Sequence, residues 1–125
     1  MNDSLKTALD KYVRLISSLD GVLQVYLFGS YAKGQPHKES DIDLMVVVDD
    51  RLDAKRTAVI ISNVLIGERD VPLDILVNRN VDFNTFSQNP TLQKQIKNEG
   101  VLLYDKRLLQ ELDTVCEKRP VSSDT

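Results

Sequence analysis

Phe28 to Val48 reads FGSYAKGQPHKESDIDLMVVV, and the two ends of this stretch decide the fold. Gly29-Ser30 closes one apolar run, and Asp41-Ile42-Asp43 opens another that ends in Met45-Val46-Val47-Val48. An extended chain puts alternate side chains on one face, so Asp41 and Asp43 point the same way, about 6.7 Å apart along the strand. Ile42, between them, points the opposite way. Two carboxylates side by side on a stiff strand attract a divalent cation. A glycine-serine turn ahead of a short helix attracts phosphate. Together they point to metal-dependent chemistry on a nucleoside triphosphate.

Working outward, Val22–Phe28 is rich in β-branched and aromatic residues and reads as the first strand. Ahead of it, Leu5, Ala8, Leu9, Tyr12, Val13, Leu15, Ile16 and Leu19 recur at helical spacing from Asp3 to Leu19. Asp20-Gly21 stops that helix. Ser30 is read as the cap of a brief helix, Tyr31–Lys33, ending at Gly34, and Gln35–Ser40 as a polar loop. Asp41–Val48 is the second strand, apolar on both faces at its end and therefore central in the sheet.

Beyond Asp49-Asp50, helical spacing returns over Leu52–Ile66, with Leu52, Ala58, Val59, Ile61, Leu65 and Ile66 read as inward. Pro72–Val77 is a third strand, with proline tolerated at its start. Asp82 is expected to cap a short helical turn. Pro90 or Thr91 opens a helix that runs to Glu99 and stops at Gly100. Val101–Tyr104 reads as a short edge strand. Arg107–Lys118 is a final helix with Leu108, Leu109, Leu112 and Val115 on one side, and the last residues, 119–125, read as a disordered tail.

The alternation of helix and strand implies an α/β (α+β) domain over residues 1–118, a small sheet packed with helices. The second strand, its helix and the third strand form a right-handed βαβ unit, so those strands run parallel. Asp74, near the start of the third strand, then lies beside Asp41 and Asp43. For Gly29-Ser30 to join them, the first strand must run antiparallel to the second. The expected sheet is mixed.

With 125 residues and 42% hydrophobic composition, a single small core is possible. The net charge is −3 and Lys and Arg are scattered, which disfavours a long nucleic acid as substrate. No apolar run approaches membrane-spanning length, and the N-terminus lacks the pattern of a secretory leader. The single cysteine, Cys116, cannot form an internal disulfide, which suits a reducing cytoplasm. His37, the sole histidine, sits in the polar loop and reads as solvated rather than catalytic.

Three carboxylates within about 5 Å repel by roughly 3 kcal/mol per pair at an effective dielectric near 20. Protons or cations must offset this. Mg²⁺ takes carboxylate, water and phosphate oxygens together, and a pair of such ions serves in-line displacement at phosphorus. Asp41 and Asp43 would bridge the ions, and Asp74 would complete the site. Ser30 and the amides after it would cradle phosphates, approached closely over Gly29.

The pattern Gly29-Ser30, Asp41-Ile42-Asp43 and a later strand Asp74 resembles the DNA-polymerase-β-like nucleotidyltransferase superfamily. The GSYAKG turn, the SDIDLMVVV strand and the Asn98–Tyr104 end look like the minimal nucleotidyltransferase (MNT) domains within it, from about Leu5 to Tyr104. The resemblance implies a polymerase-β palm-like fold. It also implies an antitoxin paired with a HEPN-domain ribonuclease toxin, as a hetero-oligomer, silencing it by Mg²⁺-dependent transfer of AMP from ATP to a toxin tyrosine. The implied catalytic and metal-binding set is Asp41, Asp43 and Asp74, and the nucleotide-binding set Gly29, Ser30 and Lys33. Many relatives carry arginine where Lys33 stands, so a bidentate phosphate contact is reduced here to a point charge.

Three other functions compete. A non-catalytic antitoxin would neutralise its toxin by covering it, with the acidic cluster vestigial. A small-molecule nucleotidyltransferase would need a second domain to hold its acceptor. A DxD-type glycosyltransferase would leave the Gly-Ser spacing unexplained. On the adenylyltransferase reading the chain leaves its acceptor side open, and a partner protein is expected to supply it.

Overall fold

The computed structural model describes residues 3–34, 41–68 and 71–108. In chain order they form α1 (Asp3–Ser17), β1 (Val22–Phe28), β2 (Ile42–Val48), α2 (Ala54–Val64), β3 (Leu73–Arg79), α3 (Asn80–Phe86), α4 (Leu92–Glu99) and β4 (Val101–Asp105). The strands form one sheet in the order β3-β2-β1-β4. β1 is antiparallel to both β2 and β4, whereas β2 and β3 are parallel. The mixed sheet, the central place of β2 and the edge place of β4 all match the sequence reading.

Both faces of the sheet are covered, which explains the unbroken apolar run of β2. Ile42, Leu44, Val46 and Val48 pack with Tyr12 and Ile16 of α1 and Ile61 of α2. Met45 and Val47 face the other way and pack with Tyr26, Phe83 of α3 and Ile96 of α4. Tyr26 and Phe83 stack with ring centroids 5.4 Å apart. Residues Leu44 to Val48 have no exposed surface at all, so a charge anywhere among them would cost several kcal/mol.

Several local expectations are corrected. Tyr31–Lys33 is not a helix but a single turn, closed by Lys33 N–H to the Gly29 carbonyl (3.2 Å) and Gly34 N–H to the Tyr31 carbonyl (3.2 Å). Gly34 takes φ +71° and ends it. α2 starts at Ala54 because Asp53 is the N-cap, its carboxylate accepting from Arg56 N–H at 2.9 Å. The buried stripe is Thr57 and Ile61 with Leu65 just past the helix end, so Val59 points outward and Ile66 lies beyond the helix, 61% and 70% exposed rather than inward. Asp82 is not a cap; it lies within the first turn of α3, paired with Arg79 at 3.0 Å. The cap comes from elsewhere: Asp50 accepts from Val81 N–H at 2.7 Å. Thr91 caps α4 as expected. The helix read over Arg107–Lys118 lies outside the described residues after Leu108, as does the tail at 119–125. His37 lies outside them too. Among the described residues no helix is long and apolar enough to cross a membrane.

One contact fixes where β3 begins. The buried Tyr12 hydroxyl donates to the Val71 carbonyl at 3.4 Å and accepts from Val71 N–H at 3.1 Å. The next residue, Pro72, accepts from Ile42 N–H at 2.9 Å, so β3 enters beside the start of β2. Replacing Tyr12 by Phe removes both Val71 partners and should cost about 1–2 kcal/mol in urea unfolding. An unchanged midpoint would show that the clamp carries no stability.

Candidate active site

The site is assembled by strand register. Phe28 pairs with Asp43 across β1 and β2, and Asp43 pairs with Asp74 across β2 and β3. Asp43 and Asp74 are therefore neighbours on one face, separated by one interstrand spacing of about 4.8 Å. Asp41, two residues before Asp43, extends the same face. Ile42 is fully buried in the cluster on the other side, as alternation requires.

The face matters because it is only partly covered. Met45 and Val47 lie under α3 and α4 and are fully buried. Asp43, two residues nearer the strand's start, is half-buried; Asp41 is half-buried and Asp74 exposed. The acids stand where the short helices end and solvent begins.

Gly29 follows the β1 residue that pairs with Asp43. It adopts φ +77°, a region that L side chains rarely enter. A β-carbon there would collide with the Asp43 carboxylate. Both constraints demand glycine, and they bring the backbone of the Gly29-Ser30 turn against the acids. Ser30 is half-buried and Lys33 exposed on this turn. All six residues singled out in the sequence thus lie at or beside one corner of the sheet.

The electrostatics follow from crowding. Burial pushes the Asp43 carboxyl above its ordinary value, and the charges of Asp74 and then Asp41 push it further. Among the described residues no Lys or Arg forms an ion pair with any of the three. Nor is any group of three or more His, Cys, Asp or Glu side chains disposed to hold a metal ion as it stands. The fold fixes adjacent backbone positions; the carboxylates themselves are set by χ1 and χ2, which turn between staggered wells at little cost. The donor set is entirely carboxylate oxygen, which matches Mg²⁺ or Mn²⁺ rather than zinc or copper.

A larger cavity, about 470 Å³, opens at the opposite end of the same face, lined by Gln24, Tyr26, Asn84, Lys97, Asp105 and Arg107 among others. Burial pushes the carboxyl of Asp105 up. Its bonds from Gln24 (3.1 Å) and from Arg107 N–H (2.9 Å) outweigh that, so it sits below the ordinary carboxylate value. Burial, then Asp105, raise the Tyr26 phenol. This cavity lies two to four residues along β1 from Phe28, the partner of Asp43, and none of the three acids lines it. Size alone does not locate the chemistry; the carboxylates do.

Sequence reasoning missed the residues that place the corner. Tyr12 reads as one more apolar helix position, and nothing local marks its hydroxyl as the clamp on β3. Gln95 and Glu99, both exposed on α4, also line a cavity beside the phosphate turn, and the sequence assigned neither a role. The spacing of Leu92, Ile96 and Glu99 at i, i+4 and i+7 was the available signal.

Known proteins resemble this chain in sequence and in fold. The family model described as Polymerase beta, Nucleotidyltransferase matches residues 10–108. The Shewanella oneidensis protein adenylyltransferase MntA is 44% identical over 45 residues, 35% of this chain and 32% of that protein. The Methanocaldococcus jannaschii protein MJ1379, whose name proposes a protein adenylyltransferase, is 41% identical over 46 residues, 37% of this chain and 46% of that protein. The chain thus spans less than half the length of these relatives. A crystal structure of a toxin–antitoxin with AMP-PNP superimposes with a TM-score of 0.54 and 25% identity, covering 87% of this chain and 80% of that one.

The elevated Asp43 carboxyl has a defined pH signature. Its folded-state value lies above the ordinary 3.8, so its contribution is full below pH 3.8 and is lost as pH rises through the elevated value. At pH 7 the ionised group is a net cost. Asp43→Asn should therefore raise the melting temperature in EDTA at pH 7 by roughly 2–5 °C, kept small by solvent screening. The gain should vanish near pH 3.5. An equal gain at both pH values would assign it to something other than charge.

Proposed function

This chain belongs to the polymerase beta nucleotidyltransferase family, and within it we propose a Mg²⁺-dependent protein adenylyltransferase that acts as an antitoxin. The substrate is ATP and the acceptor a tyrosine of a HEPN-type ribonuclease toxin, with both proteins in the cytoplasm. The observation that carries this reading is the register that sets Asp43 beside Asp74 and across from Phe28, the residue before the Gly29-Ser30 turn, with Gly29 against the Asp43 carboxylate. The adenylyltransferase name of MntA and the AMP-PNP in a similar toxin–antitoxin structure support the choice of nucleotide, acceptor class and partner.

Asp41, Asp43 and Asp74 would hold Mg²⁺, which when bound neutralises the triphosphate and lowers the pKa of the attacking hydroxyl. Repulsion among the three acids favours such binding, since a cation offsets the charge that raises Asp43. Ser30 and the amides that follow it grip the outer phosphates, and Gly29 lets that backbone approach. Lys33 adds a point charge from the same turn.

The tyrosine oxygen attacks the α-phosphorus, the bond from that phosphorus to its bridging oxygen breaks, and pyrophosphate leaves with the electron pair. Asp74 is the most exposed of the three acids and lies on edge strand β3, which supports assigning it the phenolic proton.

Intact mass of the toxin after incubation with this chain, ATP and Mg²⁺ tests the proposal. One or more AMP additions are expected, lost in EDTA and cut at least about a hundredfold by Asp41→Asn with Asp43→Asn. Binding without a mass change, with toxin neutralisation unaffected by those substitutions, would instead establish a covering antitoxin.

A further inference from the structure

The transfer reaction makes no use of the cavity of about 470 Å³ at the far end of the face. Its walls come from β1, α3, α4 and the end of β4 with the two residues that follow it. Cavities that enclose a small organic ligand run to about 300–1,000 Å³, so this one suits a single such molecule.

Its charge runs against that of the chain. Lys97, Lys106 and Arg107 line it, opposed by the single carboxylate of Asp105. That leaves a surplus of two positive charges on a chain whose net charge is −3. Asp105 does little to cancel them, because its oxygens are already occupied. The side chain is 6% exposed; one oxygen accepts from Gln24 Nε2 at 3.1 Å and the other from Arg107 N–H at 2.9 Å. Arg107 itself is 81% exposed, with Nε 3.8 Å from Asp105, too long for a hydrogen bond. Its guanidinium donors make no hydrogen bond among the described residues.

Uncharged donors join the cations. Lys97 donates to Asn84 Oδ1 at 3.4 Å, and Asn84 Nδ2 donates to Asn80 Oδ1 at 3.2 Å. The Asn80 carbonyl is thereby taken, while its amide N–H groups have no acceptor among the described residues. Beneath these polar groups lie the buried Tyr26 and Phe83, whose rings stack.

We propose that this cavity binds a small organic phosphate monoester, at a site separate from the acid corner. A monoester carries close to two negative charges at neutral pH, which matches the surplus. Lys97, Lys106 and Arg107 meet its oxygens through charge-assisted hydrogen bonds, and Asn80 adds an N–H. The organic body covers Leu23 and the aromatic floor. The protein supplies every cation, so binding needs no metal, whereas the three carboxylates of the acid corner hold phosphate only through one. Nucleoside monophosphates and sugar phosphates share this chemistry and differ in the body.

Calorimetry on the full chain in EDTA tests this, with AMP, ribose 5-phosphate, adenosine and inorganic phosphate as probes. At least one monoester should bind about tenfold or more tightly than inorganic phosphate, and adenosine should give no heat. Tighter binding of AMP assigns the site to nucleotides; equal or tighter binding of ribose 5-phosphate assigns it to sugar phosphates. Arg107→Ala and Lys97→Ala should each weaken the monoester about tenfold. Lys55→Ala, on the opposite layer, and Asp41→Asn with Asp43→Asn should each change it less than about twofold. Free-variant melting temperatures within about 2 °C of wild type show that the exposed substitutions leave the fold intact. No monoester binding, equal binding of inorganic phosphate, or indifference to both Arg107→Ala and Lys97→Ala overturns the site. Loss of binding in the Asp41, Asp43 variant also overturns it, by moving the ligand to the acid corner. The intact-mass experiment decides the transfer reading separately.

Discussion

Like-charge repulsion at one corner of the sheet is the constraint on which this structure turns. A half-buried carboxylate at Asp43, with Asp74 beside it and Asp41 two residues away, raises its own pKa and opposes folding. The chain carries that cost on its most buried strand. β2 contributes five consecutive residues with no exposed surface to a core shared by both layers. Burial of a single large aliphatic side chain contributes about 1.5–3 kcal/mol, so the apolar half of β2 readily outweighs a strained acidic half. The strand is both the anchor of the fold and the carrier of its least stable group.

The two helical layers divide the labour unequally. α1 and α2, with 15 and 11 residues, close one face into a continuous core. α3 and α4, with 7 and 8, cover only the far half of the other. Had the second layer been as long as the first, Asp43 and Asp74 would lie beneath apolar side chains. Their desolvation would then cost several kcal/mol per ionised group, and the corner would be closed to a substrate. Short helices keep the corner open, and the collision a β-carbon at Gly29 would make with Asp43 sets how near the phosphate turn comes.

Features encoded within a short span were legible in the sequence. The alternation around Asp41-Ile42-Asp43, the Gly-Ser turn, the caps at Thr91 and Gly100 and the parallel βαβ crossover each depend on local pattern or chain handedness. The structure brings Asp41, Asp43, Asp74, Gly29, Ser30 and Lys33 to one corner, as topology required. The short helix after Ser30 was misread because Ser-Tyr-Ala-Lys-Gly suits one turn as well as it suits a helix. Whether a helix propagates depends on the hydrogen bonds beyond Gly34. Val59 and Ile66 were misread because the buried stripe runs through Thr57, Ile61 and Leu65 at i, i+4 and i+8, which leaves Val59 about 200° around the helix from Thr57, while Ile66 lies past the helix end at Val64.

The remaining misses share a cause: partners distant in sequence. Asp50 caps α3 from thirty-one residues away, and Tyr12 holds Val71 from fifty-nine. Neither leaves a periodic trace, because a hydrogen bond formed once needs only one donor and one acceptor at the right places. Both act at ends of β3, one on the segment that precedes it and one on the helix that follows. β3 is the edge strand that brings Asp74 to Asp43, and among the described residues its only strand partner is β2. Sliding it by one residue would turn Asp74 to the opposite face. Local sequence therefore names the acids, but it is the long-range hydrogen bonds at Tyr12 and Asp50 that fasten the strand on which their meeting depends.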